Sequence, residues 1–271
     1  MFWEELKSDD FEGTVKQVER VCLLPLACIE RHAHHLPMGT DMFIGRELCR
    51  RAAALEPAVI FPNVIFTQIL EARTFPGTIA MEADMIVRLL DNICSEIARN
   101  GFNKIVFVNA HGGNYHFLRF FAQSQLASRR GYVIYVADPP LPADQKAAID
   151  AQWATTVDGH AGERETSMML AIRPDLVDRA VLGSDKEGMP LERLKELSDL
   201  GVYTGIWWYA DHPTHYRGDG HPATTEKGQR LLDARAQALA GAIRLIKRDG
   251  ETKRLQDEFY AGAERASGAA E

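Results

Sequence analysis

Cysteine is scarce in this 271-residue chain: Cys22, Cys28, Cys49 and Cys94 are the four, and no C-x-x-C pair occurs among them. Each sits in an apolar segment, which suits buried reduced thiols and excludes a disulfide framework or a cysteine-rich zinc site. Positive charge is short as well. The formal net charge is −7, and without a block of Lys or Arg the chain lacks the electrostatic footprint of a nucleic-acid binder. Arg50-Arg51 and Arg129-Arg130 read as solvated helix faces. No apolar run approaches the ~18 residues of a membrane span, and the opening MFWEELKSDD has neither the basic nor the apolar region of a signal peptide. Internal repeats and low-complexity linkers are missing too. These absences predict a cytoplasmic chain with no nucleic-acid or membrane partner, and one domain over residues 1–271.

What is present is an ordinary globular composition, 46% hydrophobic and 25% charged, sufficient for a sizeable core without staples. VERVCLLPLACI is a continuous apolar run of the kind found in strands buried on both faces. MFIGRELCRRAAAL follows with helical spacing, and Thr40 or Asp41 is placed to cap it. AVIFPNVIF reads as a second strand region. In MEADMIVRLLDNICSEIARNG, Ile86, Leu89, Leu90, Ile93 and Ile97 share a face, with Gly101 at the stop. KIVFVNAHGGN is an apolar strand ending in a small-residue turn, residues 115–130 read as helix, and YVIYVA as another strand. A short helix is expected at LERLKEL, a long one over residues 224–247, and a surface helix or tail over 250–271. Alternating strands and helices predict a mostly parallel sheet with helices on both faces, whose ligands bind beyond the carboxyl ends of the strands.

Chemistry concentrates at two such ends. In PLACIERHAHHLPMGTD, Glu30 and His32 are two apart, so extended backbone projects them to one side. Asp41 can return to the same place after the HLPMGT turn. Carboxylate and imidazole donors together suit zinc, iron(II) or manganese(II) and disfavour copper(I). His111 ends the second strand, and Gly112 and Gly113 beside it permit close backbone approach by a ligand or loop. A phosphate cradle competes for this turn but needs G-x-x-x-x-G-K-[ST] or G-x-G-x-x-G, which HGGN does not supply. His212, His215 and His221 cluster in DHPTHYRGDGH, where Gly and Pro favour a surface or substrate-facing loop. Trp207 and Trp208 read as core or subunit-interface residues.

The blocks PLACIERHAHHLPMGTD, FPGT, GFNKIVFVNAHGGN and DGHAGERETSMMLAIRPDLV, in this order over roughly residues 20–180 with ATTEKG beyond, resemble the creatininase family. The resemblance implies a three-layer α/β/α sandwich around a mostly parallel sheet. It also implies a usually dinuclear centre of two divalent zinc, manganese or iron ions, a homo-oligomer, often a hexamer, and hydrolysis of non-peptide or unusual C–N bonds. Carried over residue by residue, Glu30, His32, Asp41 and His111 match metal ligands, with Asp41 in the bridging position. Creatininase itself has a further carboxylate in a His-Tyr-Glu turn where this chain has His111-Gly112-Gly113; relatives with HGGN carry HAGE, which makes Glu163 the candidate fifth ligand. His160 matches the His assigned to proton transfer, and Glu165 a Glu of the same block with either a catalytic role or a helix-dipole role. His35, Gly112, Gly113 and Asn114 are expected to support ligands or touch substrate, and His34 is an extra, exposed residue. Thr156 stands where creatininase has a Trp, which points away from creatinine as substrate. The implied activity is hydrolysis of a small cyclic amide, a formamide or a related amide; the alternatives are a peptidase of a precursor peptide and a metal-free binding protein that keeps only the fold.

Overall fold

The computed structural model describes residues 1 to 266. Among them, four parallel strands form a sheet in the order β2-β1-β3-β4. In chain order the elements are α1 (Phe11–Gln17), β1 (Val21–Leu26), α2 (Thr40–Leu55), β2 (Val59–Ile60), α3 (Ala83–Arg99), β3 (Lys104–Asn109), α4 (Asn114–Ser124), β4 (Val133–Ala137), α5 (Ala143–Asp150), α6 (Glu163–Ile172), α7 (Lys195–Asp199), α8 (Trp207–Asp211), α9 (Thr225–Arg248) and α10 (Glu251–Ala266).

The apolar runs of β1 and β3 are continuous because both faces of the sheet are covered. Cys22, Leu24 and Leu26 of β1, with Ile105 and Phe107 of β3, pack against Ile86, Leu90 and Ile97 of α3 and Leu118 and Phe121 of α4. Val21, Leu23, Val106 and Val108 point the other way, onto Leu48 and Ala52 of α2 and Leu239 and Ile243 of α9. The chain is therefore a three-layer α/β/α sandwich. Register places Leu26 beside Asn109, so the segments leaving β1 and β3 start as neighbours.

Local details follow the sequence with some differences. Gly101 closes α3 in the left-handed region at φ 97°, where a side chain would be strained. The second strand region shrinks to Val59–Ile60, because the register slips by one residue between the Leu23–Ile60 and Leu26–Val64 pairs, a bulge that interrupts the ladder. Neither Thr40 nor Asp41 caps α2; Gly39 holds that position without a side-chain bond, and Thr40 Oγ1 donates to the Pro37 carbonyl. That leaves Asp41 in the first turn, its carboxylate free for other partners. Thr224 does cap α9, accepting from the Lys227 N–H. The C-terminal stretch is helical through Ala266 and docked, since the Tyr260 hydroxyl meets the carbonyls of Gln125 and Ser128; residues 267–271 of the expected tail lie outside the described residues. No described helix is long and apolar enough to cross a membrane.

Candidate metal centre

Beyond Leu26 the chain stays extended long enough for Cys28, Glu30 and His32 to alternate onto one side. Asp41 reaches the same spot from the first turn of α2, His111 from the end of β3, His160 from the loop before α6 and Glu165 from its first turn. Glu30, His32 and Asp41 are each 1% exposed. Three donor groups form, one of Cys28, Glu30, Asp41 and His111, one of His32, Asp41 and Glu165, and one of Glu30, His32 and His160, the ligand atoms of each lying within 4.8 Å of one another. Asp41 belongs to the first two. Its Oδ1 lies 3.1 Å from His32 Nε2, while Oδ2 lies 3.1 Å from His111 Nδ1 and 3.2 Å from the Cys28 sulfur. Glu30 Oε1 completes the first group, 2.8 Å from His111 Nδ1. Glu165 Oε2 completes the second, 3.8 Å from His32 Nε2.

Neighbours outside these groups fix their orientation. His32 Nδ1 is 3.2 Å from the Glu30 carbonyl, an arrangement that keeps the proton on Nδ1 and the Nε2 lone pair toward the cluster. The Trp208 indole donates to His215 Nδ1 at 2.7 Å, so the His215 proton sits on Nε2 and is donated to Glu30 Oε2 at 2.6 Å. His160 Nε2 donates to the Arg31 carbonyl at 2.8 Å.

Titration directions show that the cluster is short of positive charge. Burial acts to lower the His32 pKa, yet Asp41 and Glu30 carry it up to about 9; His111 is raised in the same way by Glu30 and Asp41. Burial lifts Glu165 to about 7, with His32 opposing and Asp41 and Glu30 adding to the rise. Burial, then Asp41 and Glu30, hold the Cys28 thiol protonated. Three carboxylates withdrawn from water need a compensating cation, and mixed O and N donors at these separations fit divalent metal ions. His111 Nε2 is buried with no hydrogen-bond partner.

The remaining expectations divide. Glu163 is not in the cluster. It accepts from the Ala154 and Thr155 N–H groups at 2.9 and 3.0 Å, from the Thr155 hydroxyl at 2.9 Å and from Lys227. The reason is helix phase: residues two apart on a helix point about 200° from each other, and Glu165 takes the side that faces His32. His35 is buried but reaches Thr166 Oγ1 at 2.8 Å, tying the loop after β1 to α6 without touching the cluster. Asn114 bridges Thr67 and Asn109 and so holds the turn. Gly112 lines the cleft. Gly113 cannot be replaced without collision, since a Cβ there would fall 2.5 Å from His111 Nε2 and 2.6 Å from Glu71 Oε1. His34 is exposed beside Arg31 and Glu187.

Four residues escaped the sequence reading. His215 and His212, expected on a surface or substrate-facing loop and not as part of the site, are 2% and 3% exposed, and His215 lines the cleft; only His221 stays out, its side chain about half exposed beside Asp219. His215 adopts φ 58°, an unfavourable backbone for a non-glycine residue, and this turns its ring toward Glu30. Trp208 lines the cleft instead of serving only as core. Cys28 was placed as an inert thiol, although its spacing two before Glu30 was a signal in plain view. The cleft holds about 230 Å³ and is walled by Glu30, Asp41, His111, His160, Trp208 and His215 among others.

The family model described as creatinine amidohydrolase matches residues 4–243. The creatinine amidohydrolase of Pseudomonas putida is 27% identical over 266 residues, covering 90% of this chain and 96% of that one. The mycofactocin precursor peptide peptidase of Mycolicibacterium smegmatis is 30% identical over 244 residues, 83% of this chain and 84% of the relative. Among solved structures, a manganese form of creatininase superposes with a TM-score of 0.73 at 23% identity, covering 92% and 99% of the two chains. A zinc–zinc form of a creatininase mutant gives 0.72 at 23% identity, covering 92% and 98%. The chain belongs to the creatininase family.

Proposed function

From that membership as premise, we propose that this chain is a metal-dependent amidohydrolase that cleaves a C–N bond of a small cyclic amide, a formamide or a related amide. The observation that carries the reading is Asp41, whose two oxygens divide between two donor groups. Glu30, Asp41 and His111 would hold one ion and His32, Asp41 and Glu165 the other, Glu165 replacing Glu163 in the expected set. When bound, the ions supply Lewis acidity to the carbonyl and to the attacking water.

The chain's own residues do the rest. Burial holds His160 neutral, its pKa down to about 3 with Glu30 opposing the shift. Its Nε2 donates to the Arg31 carbonyl and lies 3.9 Å from Glu30 Oε2, so the imidazole stands at the edge of the cluster, where it would relay a proton to the leaving nitrogen. His215 and Trp208 keep Glu30 oriented, and Trp207 and Trp208 give the cleft an apolar wall that limits water.

A second reading, cleavage of a peptide, is favoured by the 30% identity to the mycofactocin precursor peptide peptidase and by two further cavities, about 270 and 470 Å³, that share walls with the cleft. One experiment separates the readings. Metal analysis of purified protein should find about two ions per chain, and a metal-reconstituted screen of creatinine, lactams, formamides and short peptides should find turnover. His160→Ala should keep the ions and slow that turnover by about 10²–10⁴-fold. A chain that carries no metal and hydrolyses nothing in the panel is a binding protein on this fold.

A further inference from the structure

Beside the cleft, a cavity of about 270 Å³ lies over the carboxyl ends of β3 and β4, sharing His111 and Gly112 with it and walled also by Arg119, Asp138 and Arg235. A third cavity, about 470 Å³, shares Asp138 and Arg235 with the first and Gly159 and Glu165 with the cleft. Arg235 of α9 thus stands in the common wall of both side cavities, next to the metal centre.

Its surroundings are unusual for a half-buried cation. Among the described residues it makes no hydrogen bond and no ion pair at contact distance; Asp138 and Glu165 act on it only through space. Burial pulls its pKa below the ordinary guanidinium value, against those two carboxylates, though a guanidinium stays charged in proteins. The other cations of the third cavity are already engaged, Lys146 by Asp150 and Arg164 by Asp158 at 3.4 Å. Arg119 lies over the Tyr115 ring at 4.1 Å and has no carboxylate partner either. A guanidinium taken partly out of water without a partner is costly, and its planar fork matches a carboxylate with two parallel N–H donors.

We propose that Arg235, assisted by Arg119, is a carboxylate-binding subsite, and that the substrate of the metal centre is an amide whose remote part carries a carboxylate extending over the ends of β3 and β4. The inference rests on the hydrolase reading for the position of the scissile bond, but the subsite itself is tested by binding. Arg235 is a specificity residue here, remote from the reacting atoms.

The probes are N-acetylglycine, N-acetyl-β-alanine and their carboxamides, titrated calorimetrically into full-length, metal-loaded protein. The wild type should bind an acid about 10- to 100-fold more tightly than its carboxamide, the worth of a charge-assisted pair. Arg235→Met should erase that preference at unchanged metal content, Arg235→Lys should keep part of it, and Arg119→Met should reduce it. Because any contact between the probe and the ions is common to all variants, it cancels in the comparison. Equal binding of acid and carboxamide by the wild type, or acid binding untouched in Arg235→Met, overturns the subsite; if Arg235→Met does not fold, the Arg235→Lys and Arg119→Met titrations decide in the same terms. Arg-dependent binding with no hydrolysis of any probe counts against the hydrolase reading for these amides and leaves the subsite standing.

Discussion

Glu163 and Glu165 leave α6 from the same turn and enter opposite surroundings. Glu165 looks into a cluster that holds too many acceptors for its donors, so burial lifts its pKa to about 7. Glu163, fully buried, looks toward α9 and the loop before α6, where two backbone N–H groups, a hydroxyl and Lys227 satisfy it. Glu165 has a single hydrogen-bond donor, the Ala161 N–H at 2.6 Å, and Glu163 has four. An under-satisfied carboxylate at a convergence of donors is what a cation site requires, whereas a satisfied one is architecture.

Removing each in turn sharpens the contrast. Glu165→Ala should lower the metal content from about two ions toward one and slow turnover by about 10²–10³-fold, the several kcal/mol that a Lewis-acid ion contributes, while the melting temperature measured on chelator-treated protein stays within a few degrees of wild type. Retention of both ions would remove Glu165 from the proposed set. Glu163→Ala should do the reverse. It leaves Lys227, whose side chain is 19% exposed, without its carboxylate and with only the Pro222 carbonyl at 2.9 Å, and a loss of about 3 kcal/mol is expected, the lower end for breaking a buried pair. For a chain of this size that is roughly 6–12 °C by differential scanning calorimetry, with metal content unchanged. Loss of an ion without loss of stability in this variant would restore Glu163 as a ligand.

The smallest effect concerns the link between the cluster and α8. His215→Phe keeps a ring in place but deletes the donor to Glu30 Oε2, and metal affinity measured by competition with a chromophoric chelator should weaken about 10- to 100-fold. An unchanged affinity would mean that Glu30 is oriented by Cys28, 3.3 Å from its other oxygen, without help from His215.

Much of the fold was legible in the sequence because its signals are local. β1 and β3 announce themselves as unbroken apolar runs, α3 as a 3.6-residue stripe with Gly101 at its end, and α9 as a long periodic segment from about Thr224. The second strand region was over-read, because an apolar run does not reveal the one-residue slip that breaks its pairing between Ile60 and Val64. At the site, the ligands that follow strand ends were readable for the same reason: strand direction and period place Glu30, His32 and His111 whatever the rest of the chain does. His215 was not readable, since DHPTHYRGDGH has the composition of an exposed loop and its burial comes from packing of the Trp208 and His160 rings against it.

By itself the sequence determined the layers, the strand ends at which chemistry collects, and the family, because backbone period and motif spacing are properties of neighbouring residues. Only the tertiary structure decided which carboxylate of the HAGERE block faces the cluster. That choice depends on the rotation of α6 about its own axis, and the rotation is set by its packing against α9, where Gly228 lies so close that a Cβ would fall 1.9 Å from the Ser167 carbonyl oxygen. Spacing along a chain fixes the angle between two side chains on a helix, but the direction of either one is set by what the helix packs against.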